Sequence, residues 1–96
     1  MKKVKDQTAQ VFISAGSTGA LLAGSLLVAG RMKGVVRPAL APIVPSKKGQ
    51  AMIIDAGMNT QIKPVNYLQF GIMGTEYMKS VYNIKIPRVG LINVGT

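Results

Sequence analysis

The sequence contains no cysteine and no histidine. Without cysteine, the chain has no disulfide, no thiolate zinc site and no cysteine nucleophile. Without histidine, these residues alone cannot assemble a Ser-His-Asp triad or a histidine-based metal site. We therefore predict a protein that works without metal or cofactor and relies on hydroxyl, amide, carboxylate, amino and backbone N–H groups.

Acidic and aromatic residues are also scarce. Three Asp and Glu face 12 Lys and Arg, which gives a net charge of +9, and aromatic residues make up 5% of the chain. Such a charge attracts nucleic acid, anionic lipid, phosphorylated small molecules or acidic proteins. We predict no nucleic-acid binding, because the basic residues are not interleaved with aromatic side chains. Five basic residues have two interpretations: a basic surface for an acidic partner, or simply a solvated face. They are Arg31, Lys33, Arg37, Lys47 and Lys48.

The sequence has no apolar run long enough to span a bilayer. No charge occurs between Asp6 and Arg31, but the continuous apolar part covers only residues 20 to 30. A transmembrane helix needs about 20 apolar residues. We therefore predict a buried core helix here, and neither a membrane anchor nor a signal peptide.

Hydrophobic patterning predicts strands and helices in alternation. Strands are predicted at 10–13, 39–44 (an edge strand, because of its prolines), 51–54 and 88–94, helices at 18–32 and 64–82, and a polar turn at 46–50. This order favours parallel strands joined by crossovers. The predicted fold class is α/β with three αβα layers and a mostly parallel sheet. Two helices cannot cover both faces of such a sheet, so we interpret residues 1–96 as a single partial domain.

The second predicted helix is amphipathic. Phe70, Met73, Tyr77 and Val81 recur at helical spacing and predict an apolar stripe. Gln69, Glu76 and Asn83 fall on the other side, with Lys79 placed to pair with Glu76.

A glycine-rich turn is the first candidate site. Gly16 and Gly19 allow a tight turn, while Ser17 and Thr18 offer hydroxyl donors before a predicted helix. The start of a helix has free N–H groups and a positive dipole end, which suit a phosphate. The motif is neither a Walker A loop nor a dinucleotide fingerprint. The alternative is an ordinary connection in which Ser17 or Thr18 caps the helix.

A second candidate site follows the strand predicted at 51–54. Asp55 is positioned to orient a donor, Asn59 to donate a hydrogen bond to an oxyanion, and Lys63 to supply positive charge. The alternative is a loop in which Asp55 accepts bonds from backbone N–H groups while Lys63 stays solvated. A third, weaker signal is the segment 93–96 at the end of the last predicted strand.

Read together, these segments resemble the bacterial phosphate acyltransferase family of phospholipid synthesis. Two positions depart from the usual family pattern: Ser17 stands where Asn is common, and Gln61 stands where an acid is usual. The stretches that carry the resemblance are ISAGSTGA at 13–20, GRMKG at 30–34, RPALAP at 37–42, DAGMN at 55–59, KP at 63–64, LQ at 68–69, MG at 73–74 and PRVGLINVGT at 87–96.

The resemblance implies an enzyme that moves a fatty acyl group from acyl carrier protein to inorganic phosphate. It implies a homodimer with a fold similar to isocitrate dehydrogenases and phosphotransacetylases, in the cytoplasm or associated with the membrane. Gly16, Ser17, Thr18 and Gly19 would bind phosphate, and Asp55, Asn59 and Lys63 would border the substrate site. The family's catalytic residues are expected beyond Thr96, so none is assigned in this chain.

Other functions are open on the sequence alone. One is a phosphotransacetylase-like enzyme that uses coenzyme A thioesters. Another is a non-catalytic module that binds an anion or a carrier protein. A third is a short membrane-anchored protein that uses residues 7–30. If the chain is a piece of the acyltransferase, we expect the isolated 96 residues to be inactive.

Overall fold

The chain forms a small α/β structure in the computed structural model, which describes residues 1–57, 59–93 and 95. The elements are helix α1 (Lys2–Lys5), helix α2 (Thr18–Gly24), a π-helical segment (Ser25–Ala29), strands β1 (Ile43–Ser46) and β2 (Gly49–Met52), and helix α3 (Pro64–Tyr82).

Helix α3 forms over the predicted residues, because local signals fix both of its ends. Pro64 at the first helical position has a preset φ and lacks an N–H that would have no helical partner there. The Asn66 Oδ1 atom accepts a hydrogen bond of 2.8 Å from the Lys63 backbone N–H. The helix stops at Asn83, whose φ of 53° is left-handed, with its N–H bonded to the Met78 carbonyl.

The buried residues of the described chain all lie on α3: Asn66, Phe70 and Met78. Two glycines mark where other segments contact this helix. A Cβ atom added at Gly74 would lie 3.4 Å from the Met52 sulfur, and one at Gly71 would lie 3.7 Å from Cγ1 of Val89. Helix α3 is therefore the element around which the small core is built.

The predicted apolar stripe is only partly buried. Phe70 is buried as predicted, but Tyr77 and Val81 are exposed, and the buried position about two turns after Phe70 is Met78. The predicted pair on the outer face is confirmed, since Lys79 Nζ lies 3.0 Å from Glu76 Oε1.

The first long helix begins where predicted but is shorter and less buried. It starts at Thr18 with Ser17 in the N-cap position, and its π-helical continuation ends before Gly30, whose φ of 86° favours glycine. None of its residues is buried, so the predicted core helix is wrong for the chain as it stands. The reason is a lack of partners, because its main neighbour is the short α1, where Met1 packs against Gly24. In the described part of the chain, no helix has both the length and the apolarity needed to cross a membrane.

The sheet of the described residues is a two-stranded antiparallel hairpin. Ile43 pairs with Met52 and Ser46 with Gly49, around the polar turn that the sequence predicts. The edge strand predicted at 39–44 is shifted to β1, and the strand predicted at 51–54 is shifted to β2.

The strands predicted at 10–13 and 88–94 are not formed over residues 10–13 and 88–93, and Val94 lies outside the described residues. An extended segment becomes a strand only when another strand satisfies its backbone hydrogen bonds. The described residues offer no such partner here. Consequently the predicted parallel sheet does not form within the part of the chain described.

Candidate functional site

Asp55 is the centre of a compact hydrogen-bonded loop. Its Oδ1 atom accepts a bond of 2.7 Å from the Leu40 backbone N–H. Its Oδ2 atom accepts bonds from the Asn59 backbone N–H at 2.7 Å and from Asn59 Nδ2 at 3.0 Å. The carboxylate thus ties residues 37–40 to the loop after β2, which is the structural alternative raised by the sequence. We call Asp55, Asn59 and the segment 37–40 the Asp55 cluster.

The contacts of Asn59 fix the orientation of its side-chain amide. Its Nδ2 group donates to the Pro38 carbonyl at 3.0 Å as well as to Asp55. With the NH₂ group directed at these two acceptors, Oδ1 is left to face the guanidinium of Arg37, at 3.4 Å from Nη1. Asn59 therefore presents an acceptor to Arg37, whereas the sequence interpretation expected it to offer a donor to an oxyanion.

Gln69 links the same region to helix α3. Its Oε1 atom accepts from the Val36 backbone N–H at 2.9 Å, and its Nε2 group donates to the Gly34 carbonyl at 2.7 Å. Arg31 Nη1 also donates to the Val36 carbonyl, at 2.7 Å. Sequence reasoning missed this contact, because the helical pattern placed Gln69 on the outer face of α3. The only available signal was an uncharged amide among apolar neighbours.

Lys63 lies at the N-cap of α3, apart from the Asp55 cluster. Its backbone N–H bonds to Asn66, its side chain is exposed, and no hydrogen bond among the described residues joins it to Asp55 or Asn59. Asn66 is 1% exposed, and its Nδ2 atom has no hydrogen-bond partner in the described part. The structure thus brings two of the three predicted border residues together and leaves Lys63 at a helix start.

The glycine-rich turn is exposed and held by local contacts. The Gly16 N–H bonds to Ser14 Oγ at 3.1 Å. Ser17 is extended, and its carbonyl accepts the first helical bond from the Leu21 N–H at 3.0 Å, but its side chain makes no capping bond. Ser17 is therefore an N-cap by position only. Gly16, Ser17, Thr18 and Gly19 remain one exposed turn at a helix start. Across the described residues, no hydrogen bond connects this turn to the Asp55 cluster.

A mainly apolar cleft of about 390 Å³ lies beside the Asp55 cluster. It runs between the π-helical segment, residues 30–41, the end of β2 and helix α3. Leu26, Met32, Met52, Ile54 and Met73 line it, with Arg31 among the polar residues. Such a lining suits an alkyl chain better than a charged nucleotide. Within the described residues, no group of three or more acidic side chains is arranged to hold a metal ion.

Comparison with known proteins identifies the family of the chain. The family model described as "Fatty acid synthesis protein" matches residues 1–96. The chain is 54% identical over 94 residues to the phosphate acyltransferase of Acetivibrio thermocellus, and 55% identical over 96 residues to that of Clostridium novyi. It is also 54% identical over 95 residues to the phosphate acyltransferase of Alkaliphilus oremlandii.

The matches include nearly all of this chain but a minor part of each relative. They cover 98%, 100% and 99% of the chain and 28%, 29% and 28% of the three relatives, respectively. Since the family model matches every residue, the chain belongs to the fatty acid synthesis protein family.

Proposed function

We propose that the chain is a segment of a phosphate acyltransferase that moves a fatty acyl group from acyl carrier protein to inorganic phosphate. The observation that carries this proposal is the match of the whole chain at about 54% identity to proteins named phosphate acyltransferase. The product is an acyl phosphate for phospholipid synthesis. We refer below to the longer protein that contains this segment as the full-length protein.

The full-length protein, in this proposal, is a cytoplasmic homodimer that contacts the membrane and the acidic acyl carrier protein. Its domain is a three-layer αβα structure with a mostly parallel sheet, to which the chain contributes one part. The exposed apolar side chains near both ends of the chain support this, since Ile13 is 90% and Ile92 is 88% exposed. A protein normally buries clusters of such side chains against other elements.

The proposed reaction needs no protein nucleophile. A phosphate oxygen attacks the thioester carbonyl, the new C–O bond forms, and the C–S bond breaks to release the carrier protein's thiol group. The enzyme's task is to place the two substrates together and to stabilise the oxyanion with fixed donors. This chemistry is compatible with a sequence that lacks both Cys and His.

In this proposal, each group of site residues has a distinct role. Gly16, Ser17, Thr18 and Gly19 bind phosphate through backbone N–H and hydroxyl groups at the helix start. Asp55 and Asn59 border the substrate site but act by holding the loop, because the Asp55 carboxylate accepts three hydrogen bonds from Leu40 and Asn59. Lys63 supplies positive charge from the start of α3.

The apolar cleft supports an acyl substrate. Its volume of about 390 Å³ and its aliphatic lining fit part of a fatty acyl chain. The rival reading, an enzyme for coenzyme A thioesters, would call for a polar pocket for the nucleotide. A binding module without turnover is the other rival.

The test is acyl phosphate formation by the full-length protein from acyl carrier protein thioester and inorganic phosphate. The Ser17→Ala, Thr18→Val double variant should raise the KM for phosphate at least about 10-fold, as expected for the loss of two hydrogen bonds to a charged ligand. Ser80→Ala, at an exposed position near the end of α3, is the control and should change nothing. An unchanged KM for phosphate would remove the glycine-rich turn from the site. No turnover by the intact protein would reject the acyltransferase, and turnover with coenzyme A thioesters alone would favour the first rival.

A further inference from the structure

The amide of Gln69 holds the segment 34–36 at two points. It accepts from the Val36 N–H and donates to the Gly34 carbonyl, with distances of 2.9 and 2.7 Å. Only one orientation of the amide satisfies both contacts, since Val36 offers a donor and Gly34 an acceptor. Two bonds to one short segment fix both its position and its tilt against α3.

The next residue along this segment is Arg37. Its Nη1 group faces Oδ1 of Asn59 at 3.4 Å, and Asn59 is itself fixed by Asp55 and by the Pro38 carbonyl. Within the described residues, the Arg37 side chain has no other hydrogen-bond partner and is exposed. Gln69 on one side and the Asp55 cluster on the other thus hold the backbone that carries this guanidinium.

A guanidinium held in this way suits an oxyanion. It has five N–H donors in a planar fork that matches two oxygens of a phosphate. The contact with Asn59, at 3.4 Å, uses one donor, and the remaining donors stay available for a ligand. A phosphate binds more tightly to a fixed cation than to a mobile one, because less side-chain entropy is lost on binding.

We propose that Gln69 is a positioning residue that holds Arg37 to contact inorganic phosphate at the border of the substrate site. The inference rests on the proposed function, which it deepens by naming a cation for the phosphate and the residue that places it. Arg37 neutralises part of the phosphate charge and forms no covalent bond. Gln69 touches neither substrate and acts only through the segment 34–37.

The test uses three variants of the full-length protein. Gln69→Met keeps the length of the side chain and removes both hydrogen bonds, Arg37→Ala removes the cation, and the third variant combines the two. We expect Gln69→Met to raise the KM for phosphate about 10-fold, the effect of one or two lost hydrogen bonds. The KM for acyl carrier protein thioester should stay the same, and kcat should change by less than about 3-fold. Gln50→Met in β2, an exposed amide outside the site, is the control.

The double variant separates positioning from general damage. If Gln69 acts through Arg37, its loss adds nothing once Arg37 is gone, so the double variant should match Arg37→Ala. Hydrogen exchange gives a readout that does not depend on activity. The Val36 N–H should exchange faster in Gln69→Met, while the amides around Phe70 keep their protection.

Several results would overturn the inference. They are an unchanged KM for phosphate in Arg37→Ala, additive effects in the double variant, or a raised KM for the carrier protein in place of phosphate. If Gln69→Met fails to fold, the KM for phosphate of the Arg37→Ala variant still tests the inference. If the intact protein has no acyltransferase activity, the proposed function fails, and calorimetric titration with inorganic phosphate then decides the inference. Weaker phosphate binding in both single variants supports it, and equal binding overturns it.

Discussion

Residues 10–30 and residues 34–83 differ in how they are held together. In residues 10–30 no side chain is buried. The hydrogen bonds described for this region join residues that are close along the chain, such as Ser17 and Leu21. Residues 34–83 contain all the buried side chains of the described chain. They also contain the bonds between distant residues, such as Val36 with Gln69 and Leu40 with Asp55.

The difference shows which structures a segment can form on its own. Helix α3 has start and stop signals within its own sequence, and it carries the three buried residues of the described chain. The region 10–30 has a helix start but depends on other strands and helices to cover its apolar residues. Leu27, for example, is 84% exposed. Residues 34–83 therefore have a small core of their own, whereas residues 10–30 contain no buried residue.

The largest expected effect is at the centre of the small core of residues 34–83. Phe70 is 2% exposed, so Phe70→Ala removes a buried ring and leaves a cavity. We expect the free energy of unfolding of the full-length protein to fall by about 3–5 kcal/mol. Chemical denaturation measures the loss. Ser80→Ala, at an exposed polar position of the same helix, should cost less than about 1 kcal/mol. Equal losses at the two positions would show that the core does not lie on this face of α3.

The sequence was sufficient for the elements with local signals. Pro64 and the helical spacing up to Tyr82 predict α3 with its correct bounds, and the first helix begins at Thr18 as predicted but ends at Ala29, short of the predicted residue 32. It failed where a structure needs distant partners. Residues 10–13 and 88–93 have the composition of buried strands, but composition does not supply the neighbouring strand that would satisfy their backbone.

The candidate site shows the same limit. The sequence alone places Asp55 and Asn59 in one loop, because they are close along the chain. It does not indicate that Asp55 bonds to Leu40, or that Gln69 reaches Gly34 and Val36. The Gln69 contacts depend on how α3 packs against a segment more than 30 residues away, and the Asp55 contact joins residues 15 positions apart, which no local pattern records.

The second prediction tests whether residues 10–30 and 34–83 still differ in burial in the full-length protein. If the rest of that protein covers residues 10–30, as we propose, Leu27 becomes buried there. Leu27→Ala should then lower the free energy of unfolding by about 2–4 kcal/mol, the usual cost of truncating a buried leucine. Chemical denaturation again provides the measurement. A loss below about 0.5 kcal/mol would mean that the region stays uncovered, and would count against the proposed three-layer domain.

The smallest of the three effects concerns the loop that Asp55 holds. The carboxylate of Asp55 has two candidate roles, one in holding this loop and one in the reaction. Asp55→Asn keeps the size of the side chain but replaces one acceptor oxygen by an NH₂ group, which faces the N–H of either Leu40 or Asn59. We expect a loss of about 1–3 kcal/mol in unfolding free energy, because a partly buried donor loses its acceptor. Faster hydrogen exchange at Leu40 and Asn59 should accompany the loss. Glu76→Gln is the matched control, since its exposed pair with Lys79 contributes about 0.5 kcal/mol or less.

The activity of the Asp55→Asn protein then decides between structure and chemistry. If Asp55 acts by holding the loop, the acyl-transfer activity should fall together with the protection of the loop amides from hydrogen exchange. Conditions that stabilise the loop should then restore part of the activity and part of the protection. Full stability with abolished acyl transfer would contradict this interpretation. It would show that the Asp55 carboxylate serves the reaction directly, in spite of the bonds that it makes to Leu40 and Asn59.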